Sequence, residues 1–246
     1  MALITDTARL LPTRRLGGLL DVLRPFPEGV QWTRGVDVLP RSVPVPDRIG
    51  PCPTDASSEP SDPGSVTTFL PLVVRQGVRC STRGNPDLMQ DAIDVAQITS
   101  GWALEHEILD GAGTENPALQ DTAVPLGTVD TLREGVAALE AWAYQTLHGA
   151  TAVLHIPVDL AAYVRASLDE DGLWRTVAGN LITVYGTGSV VYATGDVWGA
   201  IGTTSADTVY DRKANRGEGW ADTLAIAVFD PDTVASVTVS TAPSSV

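Results

Sequence analysis

The sequence predicts an α+β fold in which helices and strands are partly segregated along the chain. Three observations indicate this fold: a long helical segment over residues 86–110, a second one over residues 129–147, and many short apolar segments between glycine-rich turns after residue 173. Of the 246 residues, 43% are apolar and 19% are charged. A chain of this length and composition can bury one large or two modest cores.

The front of the chain is predicted to be an arm followed by a long extended loop. Residues 1–83 contain ten arginines and eight acidic residues, and eight prolines lie between residues 40 and 71. Proline favours extended backbone, and a loop of this length inside a compact domain is usually functional or disordered. We therefore expect either a flexible linker or a loop that takes part in assembly.

The next segments predict strands and then the longest helix. Residues 67–82 are rich in β-branched residues and predict one or two strands interrupted at Pro71 and Gly77. Asn85 suits the helix N-cap, Pro86 the first turn, and Gly111 a left-handed C-terminus. The apolar residues of this helix form two stripes, so we expect it to be covered on two sides. The stripes are Leu88, Ala92, Val95, Trp102 and Leu109, and Met89, Ile93, Ala96 and Ala103.

The second half predicts two further helices and a succession of strands. One helix runs from about Val129 to Leu147, with Thr131 and Glu134 as a capping box. A buried strand over residues 151–156 follows, and then a third helix from Pro157 through Leu168. The remaining strands are expected around Leu173–Val177, Leu181–Tyr185, Val190–Ala193, Val197–Ile201, Val209–Asp211, Leu224–Phe229 and Val234–Val239.

Charge and motifs argue against several functional classes. The formal net charge of −14 disfavours a general nucleic-acid binder. The motifs of P-loop proteins, zinc proteases, α/β-hydrolases and kinases are missing, and Val191 stands where a dinucleotide fingerprint around Gly186 needs its third glycine. Cys52 and Cys80 are expected to be unpaired thiols, so we predict no metal and no cofactor. No apolar run is long enough to span a bilayer and no signal peptide is evident, which predicts an intracellular chain without membrane contact.

Glu105, His106 and Glu107 form the one cluster that suggests chemistry. Adjacent helical residues point about 100° apart, so these side chains cannot converge on one ion from this helix alone. We expect a solvated or intersubunit polar patch. An acidic cytosolic hydrolase with a non-local site around His106 and Glu107 remains an alternative.

The order of elements resembles a known design. An arginine-bearing arm, a proline-rich loop, strands, one long helix, a helix–strand–helix body and a strand-rich tail resemble the major capsid proteins of tailed double-stranded DNA phages, with the Hong Kong 97-type fold that encapsulin shells also use. At residue level, RCSTRGNPDLMQDAIDVAQITSGWALEHEILDGAGTENPAL and HGATAVLHIPVDLAAYVRASL, followed by LITVYGTGSVVYATG, are similar to capsid proteins of actinobacterial phages.

The resemblance implies a division of the chain into the parts of that fold. It places an N-terminal arm at 1–30, an E-loop at 31–66 and a P domain at 67–127 with a spine helix at 86–110. An A domain at 128–201 and return strands of the P domain at 202–246 complete the division.

The resemblance also implies a structural role without enzyme activity. Hexamers and pentamers of the chain would build an icosahedral head that encloses double-stranded DNA without reading its sequence. A cement or scaffolding protein is a further partner, and the location is the virion, assembled in the bacterial cytoplasm. Some family members join subunits through a Lys–Asn isopeptide bond, but residues 31–66 contain no lysine, so we expect an uncrosslinked shell. An encapsulin-like cargo compartment is the alternative.

The charge asymmetry predicts where copies touch. Residues 84–246 carry six basic and 22 acidic residues. We expect arginines of the arm and loop to pair with an acidic turn of adjacent copies. The arginines are Arg14, Arg15, Arg34 and Arg41, and the turn is Asp169, Glu170 and Asp171.

Overall fold

The computed structural model of the chain describes residues 17–39, 66–81, 87–111, 113–164, 166–211, 213 and 216–240. These residues form a mixed α+β fold, which confirms the predicted class. The helices are α1 (Leu19–Val22), α2 (Leu88–Asp110), α3 (Leu119–Thr122), α4 (Leu132–Thr146) and α5 (Val158–Ala161). The strands are β1 (Arg24–Pro25), β2 (Val36–Val38), β3 (Thr67–Phe69), β4 (Leu72–Ser81), β5 (Val124–Val129), β6 (Val153–Pro157), β7 (Ala166–Leu168), β8 (Trp174–Thr176), β9 (Leu181–Tyr185), β10 (Val190–Thr194), β11 (Trp198–Ile201), β12 (Ser205–Asp211), β13 (Arg216–Val228) and β14 (Val234–Val239).

The first sheet is organised around the long strand β13. One edge of β13 pairs antiparallel with β12 and then with β11, and its other edge pairs antiparallel with β4. The register of β4 on β13 is unbroken from Leu72 opposite Ala225 to Ser81 opposite Arg216. Strand β1 adds to β11 in parallel.

Small residues bring α2 close to one face of this sheet. A Cβ atom on Gly219 would lie 2.3 Å from the carbonyl oxygen of Leu88, so no side chain fits at this point of β13. Further along, Ala92 and Ala96 of α2 pack against Ala221. The helix backbone therefore lies almost directly on the strand.

The buried residues of α2 recur every four positions rather than in two stripes. They include Leu88, Ala92, Ala96, Ser100, Leu104 and Ile108. A four-residue step turns about 40° around the helix, so this row winds through about 200° from one end of α2 to the other. The N-terminal half faces the first sheet and the C-terminal half faces the main core. The expected cover on two sides is therefore wrong for the middle of the helix, where Trp102 is 63% exposed.

The second sheet has seven strands in the order β5-β14-β10-β6-β9-β8-β7. Its central strand β6 is buried at every residue and runs parallel to β9. One face of the sheet packs against α4, and the other face packs on α1 and α2 in a core shared with the first sheet. The capping box of α4, with Thr131 and Glu134 bonded reciprocally, is confirmed.

Strands cross between the two sheets at a place that the sequence does not reveal. The resemblance divides the chain at residue 201. Strand β11 ends at that residue but belongs to the first sheet. Strand β14 comes after it but belongs to the second sheet, where it pairs with β10 and β5. β11 and β12 pair one after the other with the same edge of β13, which is why β11 lies in the first sheet. A short apolar strand carries no local signal for the sheet that it joins.

Several local predictions are wrong in their details. The N-cap of α2 is Asp87, whose side chain accepts a hydrogen bond from the Gln90 N–H; Asn85 and Pro86 lie outside the described residues. The third helix stops at Ala161, and residues 166–168 form β7. Gly77 does not interrupt β4, because its missing side chain gives room to Trp220 on β13. Strand β5 was not expected, since its Pro125 and Gly127 resemble a turn.

Candidate assembly surfaces

The long proline-rich loop leaves the body from a two-stranded ribbon, which we call the loop root. Strands β2 and β3 pair antiparallel, so the two ends of residues 39–66 lie side by side. The Thr68 hydroxyl donates to Asp37 across the ribbon at 2.6 Å. Phe69 at the end of the ribbon is buried and packs edge-on against Phe229, with 5.4 Å between ring centroids. The ribbon is thereby fastened to the main core.

A buried carboxylate holds the junction between the loop root and β4. Glu107 on α2 is 4% exposed and accepts hydrogen bonds from the Gly113 N–H at 2.9 Å, from the Thr114 hydroxyl and from the Asn116 amide at 3.1 Å. The Asn116 side chain in turn bonds both backbone groups of Leu70, at 2.6 and 2.8 Å. Glu107, Thr114 and Asn116 form what we call the loop latch.

The three polar residues that suggested chemistry point in different directions, as the sequence indicates. Glu105 accepts a hydrogen bond from the Leu19 N–H at 3.2 Å, and the His106 ring packs against Trp102 at a tilt of 51°, with 4.3 Å between centroids. His106 also lies 3.7 Å from Asp110. Glu107 belongs to the loop latch, so the expectation of a solvated or intersubunit patch is wrong for this residue. Within the described residues, no three His, Cys, Asp or Glu side chains come close enough to hold a metal ion.

The face of β4, β13 and β12 that points away from α2 is open to solvent, and we call it the outer face. Side chains opposite one another on paired strands share a face, so Arg75 lies beside Asp222 and Arg79 beside Glu218. Arg75 binds both carboxylate oxygens of Asp222 at 2.7 Å, and the pKa of Asp222 is lowered by these hydrogen bonds. Arg79 lies 2.7 Å from Glu218. These exposed pairs fix side-chain positions more than they stabilise the fold.

The outer face could not be predicted from the sequence because no local motif marks it. Its one signal is the alternation of Glu218, Trp220 and Asp222 on one strand with Arg75 and Arg79 on another. Only the register of β4 on β13 reveals that these charges are partners.

The acidic turn that was predicted as an assembly contact is organised mainly by its own chain. The Asp169 carboxylate accepts bonds from the Leu173 and Asp171 N–H groups and lies 2.5 Å from the Arg175 guanidinium. The hydrogen bond from Arg175 is the main reason that the pKa of Asp169 is lowered. Glu170 and Asp171 are exposed on the same turn.

The arginines of that prediction are only partly described. Arg34 is exposed in a one-turn 3-10 helix over Trp32–Arg34, directly before the loop root. Arg14, Arg15 and Arg41 lie outside the described residues. The pairing of these arginines with the acidic turn of another copy stays a prediction.

His155 is a structural residue, as its position in an apolar strand suggests. It is 3% exposed in β6, and its Nε2 lies 3.1 Å from the Thr194 hydroxyl. Burial lowers the pKa of His155 to about 3, so the ring is neutral at ordinary pH.

None of the helices in the described part of the chain combines the length and apolarity that a membrane span requires.

Comparison with solved structures identifies the fold. No protein-family model and no curated protein matches the chain. The capsid of an empty GTA particle matches with a TM-score of 0.61 and 13% identity, over 98% of this chain and 95% of that one. This is a capsid-protein fold. A chain of Mycobacterium phage Adephagia (TM-score 0.56, 15% identity) covers 96% of this chain and 94% of its own. A chain of Gordonia phage Cozz (0.57, 11%) covers 94% and 92%. The capsid fold therefore extends over nearly the whole sequence.

Proposed function

We propose that this chain is a major capsid protein that self-assembles into an icosahedral phage head enclosing double-stranded DNA. The observation that carries the proposal is the capsid fold, which covers 94–98% of this chain and a similar share of its structural neighbours. Little of the sequence is left over for an additional catalytic domain. The three most suggestive polar residues, Glu105, His106 and Glu107, each have a separate structural contact.

The parts of a Hong Kong 97-type subunit can be proposed on this chain. Residues 1–30 are the N-terminal arm and residues 31–66 the E-loop, a proposal supported by the ribbon of β2 and β3 that closes the base of the loop. Helix α2 is the spine helix of a P domain that begins at residue 67. Residues 128–201 form most of the A domain, to which β14 is added because it pairs with β10. The rest of residues 202–246 returns to the P domain.

Assembly follows from many weak contacts rather than one strong interface. An arm and a loop that reach neighbouring copies multiply the contacts per subunit, and closure into hexamers, pentamers and a shell makes dissociation a many-body event. Arg14, Arg15, Arg34 and Arg41 are proposed to contact the acidic turn of adjacent copies. Glu170 and Asp171 are its better acceptors, because Asp169 already binds Arg175. A cement or scaffolding protein is a further proposed partner.

The charge of the body suits a container for DNA. Residues 84–246 carry a large excess of acidic side chains, and an acidic inner wall would not adhere to the packaged genome. Contact with DNA would then be independent of its sequence, and the protein would reside in the virion after assembly in the host cytoplasm.

Electron microscopy of the purified full chain tests the proposal. We expect closed particles with icosahedral symmetry, and particles from infected cells are expected to contain nuclease-protected DNA. Particles filled with a protein cargo instead would indicate an encapsulin-like compartment. A chain that stays monomeric at high concentration by light scattering would overturn the capsid proposal.

A further inference from the structure

A small cavity lies in the main core, between the second sheet and the helices α1, α2 and α3. The helices contribute apolar side chains to its wall, and four side chains with polar groups also line it: Glu105, His155, Thr183 and Tyr185. The centre of a water molecule has about 10 Å³ in which to move there. This space is enough for one water and too small for a larger ligand. The size of the cavity therefore restricts its occupant to a single water or ion.

The hydroxyl of Thr183 is a buried polar group that needs a partner. Thr183 is 1% exposed in β9, and its Oγ1 has no hydrogen-bond partner among the described residues. Alternate residues of a strand share a face, so Thr183 points to the same side as Leu181 and Tyr185, which belong to the main core. Native structures normally satisfy a buried hydroxyl, either with a protein group or with ordered water.

His155 adds an acceptor to the same cavity. It lies directly opposite Thr183 in the parallel pairing of β6 and β9, so the two side chains stand side by side. The Thr194 hydroxyl donates its one hydrogen to the Gly195 carbonyl at 3.0 Å. Nε2 of His155, at 3.1 Å, is therefore the donor to Thr194, and Nδ1 is left as an acceptor. No described residue donates a hydrogen bond to Nδ1.

Glu105 supplies a second acceptor from the side of α2. Its carboxylate accepts a hydrogen bond from the Leu19 N–H at 3.2 Å, and an ionised carboxylate can accept about four in all. The Tyr185 hydroxyl is already engaged, because it donates to the Val190 carbonyl at 2.5 Å. The cavity thus offers one donor, the Thr183 hydroxyl, and two acceptors. A buried water typically makes about three hydrogen bonds, so this set matches one water.

We propose that this cavity is a binding site for one ordered water, which accepts a hydrogen bond from Thr183 and donates to Nδ1 of His155 and to the carboxylate of Glu105. The water links the second sheet to α2 across the core. A cation at the same place would leave the hydroxyl hydrogen of Thr183 without an acceptor, so the donors and acceptors of the site favour water. This inference concerns the folded chain itself and does not depend on the proposed capsid function.

Exchange of the hydroxyl for a methyl group tests the water by the sign of its effect. Thr183→Val keeps the shape of the side chain and its preference for a strand. The variant removes the donor to the bound water, and we expect the equilibrium constant of unfolding to rise roughly fivefold. A hydroxyl with no partner at all would instead weaken the fold. An unchanged or lower constant in Thr183→Val would therefore overturn the proposal.

Thr238→Val is the matched control. Thr238 lies in β14 of the same sheet, is only half-buried and does not line the cavity. The control makes the same exchange of groups, and we expect it to change the equilibrium constant of unfolding by less than about twofold. If both variants were destabilised equally, the loss would not be specific to the cavity and the proposal would be wrong.

A structure of the full chain that resolves ordered water locates the ligand directly. We expect one peak at about 2.7–3.2 Å from Thr183 Oγ1, from His155 Nδ1 and from a carboxylate oxygen of Glu105. An empty cavity in such a map would refute the proposal. Contacts shorter than about 2.5 Å would do the same, because they would indicate a metal ion. The measurement can use unassembled chain, so a failure to form particles would count against the capsid function alone.

Discussion

The indole ring of Trp220 lies over Gly77, its direct partner on the neighbouring strand β4. The pair has a counterpart on the other face of the same sheet, where Gly219 receives the backbone of Leu88. One glycine thus makes room for a side chain and the other for a helix. The two contacts differ in how easily they can yield.

Substitution at these glycines should separate the two kinds of contact. Gly219→Ala forces a Cβ atom against the Leu88 carbonyl, which belongs to the rigid backbone of α2, so we expect a loss of about 1–3 kcal/mol in the free energy of unfolding. Gly77→Ala meets only the rim of a half-exposed indole that can turn away, and should cost less than about 1 kcal/mol. Urea unfolding of both variants checks the order, and a larger loss at Gly77 would contradict it.

Removal of the Glu107 carboxylate should loosen the loop latch. Glu107→Ala leaves the donors of Gly113, Thr114 and Asn116 without their buried acceptor, and we expect a loss of about 3 kcal/mol. Gln97→Ala, at an exposed position of the same helix, is the control and should change stability by less than about 0.5 kcal/mol. Thermal unfolding measures both. Equal effects would show that the latch contributes nothing.

Acid should destabilise the fold through His155. The pKa of the buried ring is about 3, against an ordinary value of 6.5, so the unfolded chain binds a proton that the folded chain does not. The contribution of neutral His155 to the free energy of unfolding is therefore fully present above about pH 6.5. It is lost as the pH drops towards 3, with a loss of about 2 kcal/mol at pH 5. His155→Gln should abolish this contribution, which unfolding measured from pH 7 to pH 4 would reveal. A variant with the pH profile of the wild type would contradict the assignment.

Joint replacement of the predicted assembly arginines should weaken association. Changing Arg14, Arg15, Arg34 and Arg41 to glutamine should lower the yield of particles. It should also reduce the dependence of the yield on salt, because the proposed charge pairs between copies, which salt weakens by screening, are lost. Arg133→Gln, at an exposed position of α4, serves as control. Sedimentation at two ionic strengths gives the comparison, and an unchanged yield and salt response would refute these contacts.

Assembled particles should contain no covalent links between subunits. Residues 31–66 have no lysine, so the loop offers no amine for an isopeptide bond. On a denaturing gel, boiled and reduced particles should give a single band near 25.9 kDa. A ladder of multiples would contradict this expectation.

Much of the fold could be predicted because its signals are local. The capping box at Thr131, the left-handed Gly111 and the strands at Leu181–Tyr185 and Val234–Val239 all agree with the structure. Each depends on residues a few positions apart. The prediction of a third helix through Leu168 is wrong because the helical pattern after Pro157 competes with the pairing of residues 166–168 with strand β8.

The candidate surfaces were harder to predict because they depend on distant pairing. Arg75 and Asp222 are 147 positions apart, and only the β4–β13 register unites them. Glu107 was visible as a polar residue on a helix, yet its burial depends on how residues 113–116 fold back over it. In the acidic turn, the sequence does not show that Asp169 is already bonded within its own chain, because this bond depends on where the fold places Arg175.

The loop latch fixes where the proline-rich segment departs from the body. The Asn116 side chain bonds both backbone groups of Leu70, and Phe69 packs against Phe229, so the loop root is held to the body at two adjacent residues. In the proposed shell, subunits in pentamers and in hexamers would meet their neighbours at unequal angles. In that shell, the position of the loop root on each subunit would be set as far as Val38 and Thr67, the last residues at which β2 and β3 pair.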